Sequence, residues 1–473
     1  MRRREFVLAT AILPWLLQGC GGGSGASDSA DNSGDSGGGG GTPPPVAAKP
    51  NVLFISIDDL NDWTGFLRGH PQVQTPNMDR LAGLSTVFAK AYCNAPLCNP
   101  SRSSALTGLM PTQTQVYDNN TRFRTTLPTV TTLPQHFLNN GYYTLSLGKV
   151  FHYGDTASWS RTVARADDVL PSTSPVANSQ CYDQGAESPA GYFDWAPLTV
   201  SDGETADGKA ASSAIEFLQQ TQAQPFFLAL GFSRPHLGWY VPQAYFDQYP
   251  LDTLVLPEAY ANDRDDLPAT ALDWLGNAHE ACIVEQDLWP DAVQAYLASI
   301  SFVDAQLGKV LDALEASAHA NNTIVVLWSD NGYHLGEKFK WQKGALWERS
   351  THIPLLVKAI GQTTQRLVPH CVSLVDLYPT LLDMCELTTV SGLAGRSIKA
   401  LVDGSVNEWP HPVVITHGAS NHAVRKNDWR YIRYADGSTE LYDHQTDLNE
   451  WFNLSGKAEY AAVIAELQQY LPV

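Results

Sequence analysis

Four apolar runs of strand length, each ending abruptly in polar residues, constrain this chain more than any other feature. "NVLFISIDD" stops on Asp58 and Asp59, and "YYTLSLGKVFH" runs into Gly148, Lys149 and His152. "PFFLALGFSRPH" ends in Ser233, Arg234 and His236, and "TIVVLWSDNGYH" in Asp330, Asn331 and Gly332. Such runs read as buried strands, and the helical segments between them make the chain α/β. In open α/β sheets ligands bind beyond the carboxyl ends of the strands, so four strands delivering charge there predict one site. A single Asp after a strand often does no more than cap the next helix. Two carboxylate clusters together with two cationic ones ask for more than capping.

Asp58, Asp59, Asp330 and Asn331 offer only oxygen ligands, which suit Ca²⁺, or with less force Mg²⁺, and not zinc. Lys149, His152, His236 and, in "KFKWQKGALWE", Lys343 add donors directed to the same place. A divalent cation with lysines and histidines suits a multiply charged oxyanion, either phosphate or sulfate. Cys93 and Cys98 hint at a zinc knuckle, but no second pair stands at ligand spacing.

The stretch "LCNPSRSSALTGL" carries a thiol just ahead of a helix signal. Asn99 is a good N-cap, Pro100 suits the first helical position, and Ser101 to Gly108 then make one short helix. That helix directs its unpaired N–H groups toward Cys98, which favours an anion beside it. Two readings of Cys98 stay open on these grounds: a nucleophile beside an anion cradle, or a buried structural thiol.

The N-terminus is a targeting segment. "MRRREFVLATAILPWLLQGC" puts arginines before an apolar run too short to span a bilayer, which reads as an export signal. Leu17-Gln18-Gly19-Cys20 resembles a bacterial lipobox, which makes Cys20 the lipidated first residue of the mature protein. Arg3-Arg4-Glu5-Phe6-Val7 also resembles a twin-arginine signal, so the export route stays open between the two. Residues 21–49 are dominated by Gly, Ser, Asp and Pro and read as a tether without a core. The expected product is an exported lipoprotein, periplasmic or held on the outer membrane through the lipid on Cys20. Arg2, Arg3, Arg4 and Lys49 balance Glu5, Asp28, Asp31 and Asp35, so the formal charge of −19 sits on the folded part and argues against nucleic acid as a partner. The remaining cysteines are too sparse for a disulfide scaffold, although Cys371 and Cys385 are a candidate pair after export.

With these residues in view, the chain resembles the type I sulfatases of the alkaline-phosphatase-like superfamily. "CNPSR" at Cys98–Arg102 with "SALTG" behind it is similar to that family's modification motif, Cys-x-Pro-Ser-Arg, whose cysteine is oxidised to formylglycine. "NVLFISIDDL", "TPNMDRLA", "GKVFH", "SRPH", "SDNGYHLGE" with "WQK", and "LVDLYPTLL" extend the match over most of residues 50–390. The resemblance implies a large, mostly parallel central sheet flanked by helices over 50–390. It further implies a smaller C-terminal α+β subdomain with an antiparallel sheet over 391–473, where "WRYIRYADGSTELYDHQTDLNEWFNL" lies.

It implies roles as well. Asp58, Asp59, Asp330 and Asn331 are metal ligands, with the modified Cys98 as a further one. Arg102 fixes the formylglycine, Lys149 and Lys343 contact sulfate, His236 lies near the leaving-group oxygen, and His152 assists sulfate release. A formylglycine-generating enzyme is then a partner in maturation. "GKVFH" and "SRPH" are most similar to the iduronate-2-sulfatase-like branch. That branch's pattern leads to His at 331, where this chain has Asn as many arylsulfatases do, a departure that keeps the metal-ligand set and leaves that branch's substrate open for this chain. Physical chemistry explains the conversion: a hydrated aldehyde attacks sulfur with one hydroxyl, and the other then lets the sulfated hemiacetal collapse and release sulfate. A plain Ser or Cys has no such exit.

The expected substrate is a sulfated carbohydrate, an alga-derived or glycosaminoglycan oligosaccharide. Strong acidity does not suit a wide polyanion-binding face, so one or a few sugar units in a pocket are expected. Trp239, Tyr240 and Trp347 are candidates for stacking on sugar rings, or for ordinary packing. A phosphodiesterase or phosphonate hydrolase of the same superfamily, and a catalytically dead glycan-binding lipoprotein, are the competing readings.

Overall fold

A computed structural model of the chain describes residues 49–171, 193–275 and 283–472; Cys20, the tether, Cys181 and Cys282 lie outside them. The chain forms β1 (Asn51–Ile57), β2 (Thr86–Tyr92), β3 (Tyr143–Gly148) and β4 (Arg161–Val163). There follow β5 (Trp195–Leu198), β6 (Phe226–Phe232), β7 (Trp239–Pro242) and β8 (Thr323–Ser329). A two-residue hairpin, β9 (His334–Leu335) and β10 (Trp341–Gln342), leads to β11 (His352–Ile353), β12 (Leu355–Lys358) and β13 (Arg366–Ser373). The chain closes on β14 (Val413–His417), β15 (Asn421–Lys426), β16 (Trp429–Arg433) and β17 (Thr439–Asp443).

Nine of these strands make one sheet in the order β11-β2-β12-β8-β1-β6-β3-β4, with β13 also paired to β2. The four runs singled out in the sequence are its adjacent, mutually parallel centre: β8, β1, β6 and β3. Their unbroken apolar character follows from burial on both faces. Leu53, Ile55 and Ile57 pack into one core with Leu228, Leu230, Val325 and Leu327. Val52 and Phe54 point the other way, into a second core with Phe227, Ala229, Val326 and Trp328. The helices Ala206–Leu218 and Trp289–Glu315 cover the first face; Cys98–Thr107, Leu133–Asn139 and Leu377–Met384 cover the second. Each fully buried aliphatic side chain in these layers contributes about 1.5–3 kcal/mol.

Register decides what happens at the sheet's edge. Ile57 lies opposite both Phe232 and Ser329, and Gly148 opposite Gly231, so the four strands end at one level. Gly148 is required there: its φ is +68°, and a Cβ would lie 2.1 Å from the Gly231 carbonyl oxygen. That close approach turns the chain so that Lys149 follows directly beside Asp58.

The C-terminal strands β14 to β17 form a separate four-stranded antiparallel sheet, with the helix Ala461–Gln468 on one side. Its other side packs Ile415, Ala423, Ile432 and Tyr442 against Tyr92, Leu346 and Trp347. Buried Arg425 and Arg430 join the two sheets: Arg425 donates to the Tyr92 hydroxyl at 2.8 Å and Arg430 to the Leu346 carbonyl at 2.5 Å. Arg430 pairs with Glu348 and Glu450, so the Glu348–His444–Glu450 cluster is already neutralised by guanidinium groups.

Three expectations are corrected. Cys371 and Cys385 are free buried thiols in different cores, so they do not pair. Trp239, Tyr240 and Trp347 are at most 3% exposed and cannot stack on a sugar. Trp239 packs among Phe193, Trp195 and Tyr296, and the Trp347 ring nitrogen donates to Glu440 at 2.7 Å. The short helix begins earlier than its cap signal suggested, at Cys98, with Leu97 in the cap position and Gly108 ending it at a φ of 69°. Asn99 does not cap it; its amide donates to the carbonyls of Asp118 and Thr121 at 2.8 and 2.7 Å and anchors the helix to that loop.

Candidate active site

Cys98 opens the first turn of a buried ten-residue helix whose N-terminus faces the ends of β1 and β8. Its Sγ lies 3.7 Å from an Asp59 carboxylate oxygen and 2.8 Å from Lys343 Nζ. One turn later, Arg102 ties the strand ends together. Its Nε donates to Asp330 at 2.7 Å, one terminal nitrogen to Asp58 at 3.2 Å, and the other to the carbonyls of Lys149 and Val150 at 2.6 and 2.8 Å. The Ser101 hydroxyl adds a bond to the Asp330 carbonyl at 2.5 Å. Lys149 pairs with Asp58 and Lys343 with Asp59, so three buried or half-buried cations balance three buried carboxylates.

Of the ten residues singled out in the sequence, Asp58, Asp59, Cys98, Arg102, Lys149, His236, Asp330, Asn331 and Lys343 are joined by direct contacts. Asp59 has a φ of 61°, and its N–H donates to Asp330 Oδ1 at 3.1 Å. Asn331 Nδ2 donates to Asp59 at 2.8 Å. His152, the tenth, stands beside them, half-buried on the wall of a cleft it shares with Asp58, Lys149 and His236.

Burial and charge set the protonation states. Burial opposes ionisation of Asp58, but Lys149 and then Arg102 outweigh it and hold this carboxyl well below the usual range. At Asp330 burial wins over Arg102 and pushes the carboxyl up to about 6. Burial, with Asp58 beside it, pushes the Cys98 thiol well above its ordinary value despite Lys343 and Lys149. An unmodified Cys98 is therefore a thiol and a poor nucleophile at neutral pH. Burial and then Lys149 hold both His152 and His236 down at about 4, so both imidazoles are neutral. His236 Nδ1 lies 2.6 Å from the Leu237 carbonyl, which can only accept; the proton is on Nδ1, and Nε2 faces Asp59 at 3.9 Å.

The donor set fits a hard divalent cation. Oxygen atoms of Asp58, Asp59 and Asp330 lie within 4.8 Å of one another, all buried. Asn331 Oδ1 is buried with no hydrogen-bond partner among the described residues. An orphaned buried acceptor beside three carboxylates is what a cation ligand looks like before it is used. Among the described residues Cys93 belongs to no such group: its Sγ sits 3.9 Å from the Ser350 carbonyl.

The cleft outside this centre, about 470 Å³, is lined by Arg165, Asp168 and Arg234, of which only Arg234 stood at a strand end marked in the sequence. Arg165 pairs with Asp168 at 2.6 Å, and Arg234 reaches Asp168 at 3.3 Å. Asp207, at the start of the helix Ala206–Leu218, accepts the backbone N–H groups of Ser233 and Arg234 at 2.8 and 2.9 Å and fixes the turn that presents His236. Arg165 and Asp168, in "RADD", stand at a spacing that signals an ion pair. Asp207 gives no local signal, because its partners are 26 and 27 residues away.

Comparison with known proteins bears on this arrangement. The family model described as Sulfatase matches residues 50–387, and one described as N-sulphoglucosamine sulphohydrolase, C-terminal, matches residues 336–472. A protein named Sulfatase from Formosa agariphila is 37% identical over 450 residues, covering 90% of this chain and 86% of that protein. Human iduronate 2-sulfatase is 32% identical over 393 residues, covering 74% of this chain and 69% of its own length. Among solved structures, a 2-O GAG sulfatase superposes with a TM-score of 0.71 at 23% identity, covering 89% of this chain and 90% of that one. The phosphonate monoester hydrolase of Silicibacter pomeroyi superposes with a TM-score of 0.74 at 21% identity, covering 89% and 94%. At those identities the two structures establish a shared fold.

Proposed function

This chain belongs to the sulfatase family and is a sulfuric ester hydrolase, and from that premise we propose that it desulfates a carbohydrate through a formylglycine made from Cys98. One observation carries the reading: Cys98 stands at a helix N-terminus, in contact with Asp59 and Lys343, among buried oxygen ligands. A thiol held protonated by burial has little chemistry of its own in that place, whereas its position suits a converted side chain. The sugar substrate is supported by relatives named iduronate 2-sulfatase and by the 2-O GAG sulfatase fold neighbour.

Asp58, Asp59, Asp330 and Asn331 would hold a calcium ion, with converted residue 98 as a further ligand; magnesium fits the same oxygen set less well. Bound there, such an ion would supply charge neutralisation for the sulfate and would acidify the nucleophile. Formylglycine, as its hydrate, supplies one hydroxyl for attack and a second that allows sulfate to leave. Arg102 keeps Asp58 and Asp330 in place from beneath. Lys149 and Lys343 present ammonium groups to sulfate oxygens as charge develops on the leaving side. The Nδ1–H bond to Leu237 fixes the His236 ring with its unprotonated Nε2 toward the centre; the negative charge of a bound sulfate ester favours uptake of a solvent proton at Nε2, and the imidazolium so formed returns that proton to the departing sugar oxygen. His152, on the cleft wall beside Lys149, assists release of sulfate. Export as a lipoprotein through Cys20 completes the proposal; a Cys20→Ala variant that still fractionates with membranes would contradict that part.

The experiment is mass spectrometry of the peptide spanning residues 93–110, paired with sulfate release, from hosts with and without a formylglycine-generating enzyme. Turnover is expected to track conversion, with an aryl sulfate hydrolysed far faster than the matching phosphonate ester. Full activity from a quantitative Cys98 thiol overturns the mechanism, and faster phosphonate hydrolysis favours the phosphonate-hydrolase alternative.

A further inference from the structure

The wall of the cleft beside the reaction centre carries two guanidinium groups that the reaction itself does not use. Arg165 follows β4 and Arg234 follows β6, and both guanidinium groups converge on one carboxylate, Asp168. Arg165 Nε also donates to the Ser233 hydroxyl at 2.5 Å, and an Arg234 terminal nitrogen donates to the His236 carbonyl at 3.1 Å. The Arg234 side chain is only 5% exposed, yet its Nε has no hydrogen-bond partner among the described residues. A buried guanidinium donor left unused on a cleft wall is costly unless a ligand takes it.

The charges around the cleft show which ligand that is. Asp58 is neutralised by Arg102 and Lys149, and Asp155 by Arg124 at 2.8 Å. His152 and His236 are neutral. Beyond the reaction centre, two guanidinium groups converge on Asp168 at the cleft wall, while a second carboxylate, Asp207, lies buried behind the turn with its oxygens engaged by the Ser233 and Arg234 N–H groups. A sugar without an acceptor of matching charge would leave the Arg234 Nε unanswered. Asp168 bridges the two arginines and holds their planes, leaving the remaining donors for an oxyanion. The clamp and His236 are carried by the same turn, Ser233–His236, so a group held there falls on the leaving-group side of the ester.

We propose that Arg165 and Arg234 form a second anion subsite, and that the preferred substrate carries another anionic group, carboxylate or sulfate, on its leaving-group side. This rests on the sulfatase reading of the same cleft. It makes Arg165 and Arg234 specificity-determining residues, with Asp168 as a positioning residue behind them.

The test measures kcat/KM on matched sulfated disaccharides in converted, calcium-loaded enzyme. One pair contrasts a uronate with its carboxyl-reduced counterpart; a second contrasts a disulfated with a monosulfated neutral sugar, so the arms separate carboxylate from sulfate. The more anionic member of one pair is expected to be favoured about tenfold or more, the worth of one charge-assisted hydrogen bond. Arg165→Gln should bring that ratio to within about twofold, while Arg165→Lys, which keeps charge and loses the planar fork, should retain part of it. Thermal melting of both variants checks that the fold is intact. Absence of preference in both pairs, or a ratio that survives Arg165→Gln, overturns the subsite. Failure to hydrolyse any sulfate ester, aryl sulfate included, overturns the sulfatase reading itself and the subsite with it.

Discussion

Replacing Arg102 by Met removes a side chain that binds three strand ends at once. The Arg102 and Asp330 side chains are both 0% exposed, so water cannot substitute for what is lost. Asp330 loses a 2.7 Å partner, Asp58 a 3.2 Å partner, and the carbonyls of Lys149 and Val150 lose bonds of 2.6 and 2.8 Å. Breaking a buried ion pair from one side costs about 3–5 kcal/mol, because the remaining charge stays buried without its partner. The two orphaned carbonyls place Arg102→Met toward the upper end of that range. Much of this cost is a penalty on Asp330, so it should shrink once that charge is gone. Arg102→Met in an Asp330→Asn background is therefore expected to cost about 1.5–3 kcal/mol less than in the native chain.

The assay is urea denaturation of all four proteins, calcium-depleted and expressed without converting enzyme so that residue 98 is a thiol throughout. Each free energy is taken from the midpoint and its slope. A loss under 1 kcal/mol for Arg102→Met, or additivity of the two changes within about 0.5 kcal/mol, refutes the claim that Arg102 acts through the buried carboxylates.

The other expectations address the metal, the leaving group and a remote lysine. Asn331→Ala should weaken calcium binding at least about tenfold by calorimetry, since it deletes the orphaned acceptor Oδ1; stoichiometric zinc in active enzyme would contradict the ligand set. His236→Ala should slow a sugar sulfate about tenfold more than an activated aryl sulfate, because only the former needs a proton on its leaving oxygen; equal losses would make His236 a positioning residue. Burial holds Lys340 down to about 8, where its ammonium donates to the Trp274 carbonyl. Between about pH 8 and the ordinary lysine value of 10.5 the unfolded chain binds this proton and the folded chain does not, so the group's contribution makes stability rise with pH across that window. Lys340→Met should be more stable than the native chain at pH 7, and the difference should narrow by pH 10; a pH-independent difference would show that Lys340 does not titrate there.

How legible the site was in the sequence follows from where each residue's partners lie. The four strand ends were readable because both faces of the sheet are buried: Val52 and Leu53 face different cores, so the run is uninterrupted and its polar terminus is conspicuous. Parallel register then places every terminus at one edge, and Asp58, Lys149, His236 and Asp330 meet without any long-range information in their own segments. The helix start was misread because Asn99 and Pro100 fit an N-cap and first-turn pattern locally, while tertiary bonds from Asn99 to the 118–121 loop place the cap at Leu97. Trp239, Tyr240 and Trp347 stayed open between stacking and packing because an aromatic next to a catalytic motif is as well suited to supporting the strand end as to touching substrate, and burial alone separates the two. Arg165, Asp168 and Asp207 were passed over because their meaning is relational. Arg165 matters through Ser233, 68 residues away, and Asp207 through the backbone of a turn on a neighbouring strand. The reaction centre is written in motifs because its chemistry fixes residue types. The walls that choose among substrates are set by packing between distant segments, and they become legible only when the sheet has brought those segments together.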